Sequence, residues 1–174
     1  MKILYISKSV IPSRTANSVH VMKMCHAFAN NGNEVVLLAP EIKSEYEKNV
    51  MDIYQFYGVK KNFKIKKLWH PNFKFGAIFY TLSILFYLLV NKKFNLVYGR
   101  FLYGCFIATF LKKDVIFETH NSIHNFKNYS LFIFNKFIKK KYFKKLIVIS
   151  DALKRIYLEN ENLSNDKIIV AHDG

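Results

Sequence analysis

The sequence predicts an α/β fold of the doubly wound kind, a mostly parallel sheet of about seven strands with helices on both faces. Three observations carry that reading. Short apolar runs without polar alternation recur along the chain, as strands buried on both faces require. Stretches with helical apolar spacing separate them. Apolar residues fill 51% of the 174 positions, enough for a sizeable core.

Residues 2–7 (Lys-Ile-Leu-Tyr-Ile-Ser) read as a buried first strand, ended by Ser7 and Pro12. A helix follows, with Asn17 or Ser18 expected as N-cap, an apolar face of Val21, Met24, Cys25, Phe28 and Ala29, and a stop at Asn31-Gly32. Residues 34–39 form the second strand, closed by Pro40. Strand, helix and strand within forty residues make a parallel, right-handed βαβ unit. The alternation continues with strands at 64–69, 95–98, 114–118, 145–149 and 167–171. Helices fall at 75–90, 101–111, about 129–142 and 151–160. No repeat, low-complexity run or linker interrupts them, so residues 1–174 are read as one domain.

Residues 75–90 contain no charge and are flanked by Lys74 and Lys92-Lys93. A span needs about 20 residues. The segment is therefore read as a buried or partly membrane-facing helix, although its outward face has only a weak polar stripe. No signal-peptide pattern opens the chain, which sets the expected location as cytoplasmic.

The chain has 27 Lys and Arg against 12 Asp and Glu, a formal net charge of +15. Only Arg14, Arg100 and Arg155 are arginines, and that scarcity counts against a sequence reader of nucleic acid. Lys and Asn abundance also suggests compositional bias. The charge is nevertheless uneven: residues 1–58 hold six basic and five acidic side chains, residues 59–174 hold 21 and seven. Its densest block includes Lys136, Lys139, Lys140, Lys141, Lys144 and Lys145 among aromatic residues. Such a block fits either a basic amphipathic helix on an anionic membrane or a core-facing helix with solvated lysines.

In open parallel sheets, ligands bind beyond the carboxyl ends of the strands. That rule selects Arg14, Thr15 and Asn17 in the first loop, Arg100 after the fourth strand, Glu118, His120 and Asn121 after the fifth, and Ser150 after the sixth. His172-Asp173-Gly174 follows the seventh. The first loop lacks both Gly-x-Gly-x-x-Gly and the Walker pattern, which removes the main support for NAD, flavin or P-loop chemistry. It reads either as an anion site or as a capping loop with a solvated Arg14. Glu118 and His120 suit a grip on a sugar or general-base work, with a satisfied structural histidine as the bland alternative. His120 and His124 would be ligand-like only on a helix, and no metal is assigned. Cys25 and Cys105 exclude a disulfide scaffold and a four-cysteine zinc site.

The opening residues 1–7, Pro12, the helix at 19–30 and Gly32-Asn33-Glu34-Val35-Val36 together resemble the start of family 4 glycosyltransferases. Leu96-Val97-Tyr98-Gly99-Arg100, Phe117-Glu118-Thr119-His120, Leu146-Ile147-Val148-Ile149-Ser150 and residues 166–174 continue the resemblance in order. It implies a GT-B enzyme with two Rossmann-like domains, retention of anomeric configuration and no bound catalytic metal. This chain would be the N-terminal, acceptor-binding domain. The C-terminal domain, absent from this chain, would hold a UDP- or GDP-linked sugar, in cis or as a split partner; no tightly bound cofactor is expected. His120 resembles the cleft histidine that contacts the transferred sugar and is the catalytic candidate. Arg14–Asn17 corresponds to a loop near the donor phosphates, though Ser13-Arg-Thr-Ala-Asn17 replaces its usual glycines.

The resulting expectation is transfer to a lipid-linked or surface-polysaccharide acceptor at the inner face of the cell membrane, with the chain inactive by itself. The competing reading is a non-catalytic basic module for membrane surfaces or nucleic acid.

Overall fold

A computed structural model describes residues 1–160 and 163–172. Asp173 and Gly174, which end the last of the resembling motifs, lie outside the described residues. Seven strands form one sheet in the order β3-β2-β1-β4-β5-β6-β7. The chain divides into two compact units, Met1–Asn95 and Leu96–Gly174.

The first unit holds β1 (Lys2–Ile6), α1 (Ala16–Asn30), β2 (Glu34–Glu41), the single turn α2 (Ile53–Phe56), β3 (Lys64–Trp69) and α3 (Gly76–Val90). β1 and β2 are parallel, with Ile3 opposite Val35, and β2 is parallel to β3. Leu4, Tyr5, Ile6, Leu37 and Leu38 are fully buried, so the doubly apolar strand reading holds.

Two boundaries differ from expectation. Thr15, not Asn17 or Ser18, caps α1, its hydroxyl accepting from the Ser18 N–H at 3.3 Å. Ser18 turns inward, donating to the carbonyls of Ser13 and Thr15. Pro40 lies inside β2 rather than closing it. The Leu38 carbonyl is the last on the β1 side to accept a strand hydrogen bond, from Ser7. Two residues on, the missing N–H of Pro40 faces the side where β1 has already ended, so no ladder bond is lost.

α3 buries Gly76, Tyr80, Ile84 and Leu88 at fourfold spacing. Tyr80, fully buried, donates to the Ser7 carbonyl at 2.6 Å. Gly76 is required by close approach: a β-carbon there would stand 2.3 Å from the Pro71 carbonyl oxygen and 2.7 Å from the His70 ring. The opposite face of α3 is apolar and exposed. Among the described residues, no helix is long and apolar enough to cross a membrane.

The second unit holds β4 (Leu96–Gly99), α4 (Leu102–Phe110), β5 (Asp114–Thr119), α5 (Asn128–Ile138), β6 (Phe143–Val148), α6 (Asp151–Leu158) and β7 (Ile168–Val170), with parallel pairing from β4 through β7. Its core is aromatic: the Phe137 ring lies 5.7 Å from Phe117 and 5.0 Å from Phe143, both edge-to-face, and Phe134 lies 5.5 Å from Tyr157.

α5 ends at Ile138 instead of continuing to Tyr142, and β6 begins at Phe143 instead of Lys145. Burial of Phe143 against Phe137 draws the strand start forward. A register shift makes room for the two lysines that follow: Val115 pairs with Phe143 but Ile116 with Lys145. The extra residue, Lys144, points out to Asp114 at 3.1 Å.

Cys25 and Cys105 are fully buried, and burial pushes both thiols up. A disulfide reagent at pH 8 is expected to label neither thiol in the folded protein and both after denaturation. Rapid native labelling would contradict this core.

Candidate functional site

The clearest polar cluster stands where β4 and β5 end. Tyr98 is opposite Ile116 in the parallel register. Side chains alternate along a strand, so Tyr98, Ile116 and Glu118 share one sheet face while Phe117 faces the aromatic core. Arg100 and Glu118 continue that register by two residues, which explains why they meet. Glu118 is 3% exposed. The Tyr98 hydroxyl donates to its Oε2 at 2.8 Å, His120 Nε2 lies 3.0 Å from its Oε1, and Arg100 Nε lies 3.6 Å from the same oxygen.

A buried carboxylate is tolerated only with such partners. Its chemical consequence falls on His120. A carboxylate facing Nε2 holds the proton there in the neutral ring, which makes Nδ1 the accepting nitrogen. The His120 side chain keeps 26% of its surface exposed, enough to meet a hydroxyl from solution. Arg100 contributes a second feature: its Nη1 is buried without a hydrogen-bond partner. Buried donors are rarely left unsatisfied, so an acceptor from water or a ligand belongs there.

Asn121 follows His120 on a loop pinned at both sides. Its N–H donates to Thr119 Oγ1 at 3.1 Å, and its carbonyl accepts from the Tyr157 hydroxyl at 2.9 Å. Burial pushes the Tyr157 phenol up to about 12, so it remains a donor across the working pH range. The Asn121 side chain is exposed. Ser150 has a structural task, capping α6 by accepting from Leu153 N–H at 3.2 Å. His124 does not form a helical i, i+4 pair with His120. It sits in a 3₁₀ turn, Ile123–Asn125, with Glu159 3.7 Å away.

In the first unit, Arg14 is exposed and its guanidinium lies 5.7 Å from the Phe56 ring and 6.0 Å from that of Tyr46. Asn17 donates to Ser9 Oγ at 2.7 Å, so Asn17 and the capping Thr15 both hold the loop in shape. Beside them opens a groove of about 570 Å³ lined by Ser13, Arg14, Thr15, Ser44, Glu45 and Tyr46. The Ser44 hydroxyl is buried there without a partner. Tyr57 holds the loop from below: its hydroxyl accepts from Ser13 N–H at 2.6 Å and donates to the Ser13 carbonyl at 2.7 Å. Sequence reading missed Tyr57 because 44 residues separate the partners. It missed Tyr98 because only the strand register places it beside Glu118.

The lysine block does not form one amphipathic helix. Within α5 lies only Lys136; Lys139, Lys140 and Lys141 gather at its C-terminus, where the helix dipole favours cations. Lys140 covers the Phe110 ring at 4.1 Å, Lys144 pairs with Asp114, and Lys145 donates to the Asp166 carbonyl. Lys136, Lys139 and Lys141 are exposed.

A parallel α/β sheet with a buried carboxylate, an imidazole and an arginine at its strand ends has the build of one Rossmann-like half of a GT-B glycosyltransferase. Residues 18–174 match the family model Glycosyltransferase Family 4, and the chain belongs to that family. HepE from Anabaena, solved with UDP and glucose, superposes with a TM-score of 0.70 at 9% identity, covering 100% of this chain and 44% of HepE. Sucrose-phosphate synthase from Thermosynechococcus elongatus gives 0.69 at 11% identity, covering 99% of this chain and 48% of that one. The chain thus spans less than half the length of these proteins. No curated protein matches it.

Two substitutions test this geometry. Glu118→Ala leaves Arg100, whose side chain is 10% exposed, without its anion and is expected to cost about 3 kcal/mol in chemical denaturation. A loss below about 1 kcal/mol would mean that the carboxylate is not the hub of the cluster. Tyr57→Phe strands the Ser13 N–H and leaves its carbonyl to Ser18 Oγ, and should cost about 2 kcal/mol by the same measurement, with a neutral result speaking against the loop anchor.

Proposed function

We propose that this chain is the acceptor-binding N-terminal half of a retaining glycosyltransferase, which moves a sugar from a nucleotide-sugar to a lipid-linked or surface-polysaccharide acceptor. The observation that carries the reading is the Tyr98–Glu118–His120–Arg100 cluster at the strand ends of a family 4 chain. His120 takes the catalytic position. With its Nε2 held by Glu118, the ring presents Nδ1 to a hydroxyl of the transferred sugar and steadies it as the glycosidic bond breaks. The open valence of Arg100 Nη1 suits a sugar or phosphate oxygen.

The groove beside Arg14 and Thr15 offers hydroxyl, guanidinium and carboxylate groups for the hydroxyls of a sugar acceptor. A separate domain, joined to this one or supplied as a second chain, binds the nucleotide. UDP is the first nucleotide to try, since HepE was solved with it, and GDP the second. Lys136, Lys139 and Lys141 add attraction to the anionic inner face of the cell membrane, about 1 kcal/mol for each lysine near the surface.

The test is sugar transfer from radiolabelled UDP- and GDP-sugars to membrane lipid extract. The 174-residue chain alone should transfer nothing, and addition of the nucleotide-sugar domain should confer activity. In that active form, His120→Ala is expected to lower turnover about 100-fold. Full turnover by that variant would remove His120 from the mechanism, and transfer by the chain alone would remove the need for a second domain.

A further inference from the structure

α3 is apolar on both sides. Phe75, Ile78, Leu82, Phe86, Leu89 and Val90 are 41% to 82% exposed. At 100° per residue they fall within an arc of about 120°, diametrically opposite the buried Tyr80, Ile84 and Leu88. At the N-terminal end of this stripe, Phe79 packs edge-to-face on Trp69 and Phe73, both more than half exposed. A continuous exposed surface of this kind is a docking surface rather than scattered apolar exposure.

The charge around it identifies what docks. Between Asp52 and Asp114 the sequence contains no acidic residue. Lys74 stands before the helix and Lys92 and Lys93 directly after it. At its C-terminal end, Val90 and Tyr87 form one wall of a groove of about 670 Å³. Lys2, Lys64, Lys66, Lys92 and Lys93 line the same groove. Glu34 is its one acidic residue and already pairs with Lys2 at 2.9 Å. The groove lies at the amino-terminal ends of β1, β2 and β3, away from the loop that holds Arg14. Apolar surface bounded by lysines at both ends matches an anionic lipid interface, with acyl chains against the stripe and phosphates at the lysines. Fifteen residues make a helix about 22 Å long, too short for a hydrocarbon core of about 30 Å, so α3 would lie in the plane of the interface.

We propose that α3 is the membrane-insertion element of this protein, and that the lysine-lined groove at its C-terminal end receives the phosphate headgroup of an anionic lipid. This deepens the membrane part of the function proposed above and rests on it. It moves the apolar contact from α5 to α3 and leaves the α5 lysines an accessory attraction.

Trp69 is the only tryptophan in the chain and borders the stripe, so it reports insertion directly. The protein is mixed with vesicles of phosphatidylglycerol and phosphatidylcholine, or of phosphatidylcholine alone, with and without brominated acyl chains. Phosphatidylglycerol vesicles should blue-shift Trp69 emission, brominated chains should quench it, and neutral vesicles should bind at least about tenfold more weakly. The double variant L82D/F86D should lose binding, and K92E/K93E should weaken it about tenfold or more. Circular dichroism spectra matching the parent keep these results separate from misfolding.

Vesicle binding that survives both double variants but is lost in K139E/K141E would overturn the role of α3 while leaving the membrane reading intact. Absence of binding to any vesicle would overturn both. A dimer in analytical ultracentrifugation that dissociates in L82D/F86D would identify the occupant as a second copy of the chain and equally overturn the proposal.

Discussion

The carboxyl ends of β4 and β5 depend on one buried anion. Glu118 cannot remain charged at 3% exposure without compensation, and Tyr98, Arg100 and His120 approach its two oxygens. Tyr98 comes from within β4, Arg100 from just beyond it, and His120 from just beyond β5. The carboxylate therefore fixes where two loops leave the sheet and which nitrogen of His120 carries the proton. The same residues that stabilise the strand ends thus orient the imidazole for which a role in transfer is proposed. Arg100 shows the limit of that economy: Nε approaches Glu118 while Nη1 stays without a partner. A purely structural arginine would have both ends of its guanidinium occupied, so the orphan favours a binding role for this cluster.

The first loop divides its work differently. Ser13, Thr15, Ser18, Asn17 and Ser9 spend their hydrogen bonds on one another and on the backbone. Tyr57 closes the arrangement from another part of the unit. What remains for a ligand is the exposed Arg14 and the groove edge. The absence of glycines, which in the resembling family open the backbone to phosphates, is matched here by a loop rigidified through side-chain hydroxyls. On the function proposed, this loop would meet the hydroxyls of a sugar acceptor.

The alternation of strands and helices was legible because parallel strands buried on both faces leave unbroken apolar runs. Boundaries were less legible wherever tertiary contacts override local signals. Thr15 displaced Asn17 as the cap because Ser18 was needed inside, and Pro40 fits within β2 only because β1 is shorter. Lys144-Lys145 looked like the edge of a strand, but a bulge lets Lys144 face outward from within it. Arg100, Glu118 and His120 could be grouped from topology alone, since each lies at or just past the end of one of two neighbouring strands. Tyr98 could not, because its membership depends on register, and Ser150 and Thr15 were indistinguishable from ligands until their capping bonds were seen.

The placement of lysine argues that the charge has a structural logic beyond composition. A coding bias that enriches Lys and Phe acts on every helix alike. α6 nevertheless turns Lys154 and Arg155 away from its buried Leu153 and Tyr157, as a solvated helix should. α5 buries Phe134 and Phe137 and leaves Lys136 outside. α3 alone among the three carries no lysine on its outward face, though the chain supplies lysines immediately before and after it. Compositional bias sets how many lysines the chain holds, not which helix faces carry them. If α3 inserts as proposed, its outward face answers to the lipid interface, and the lysines at its two ends mark where that medium becomes polar and anionic.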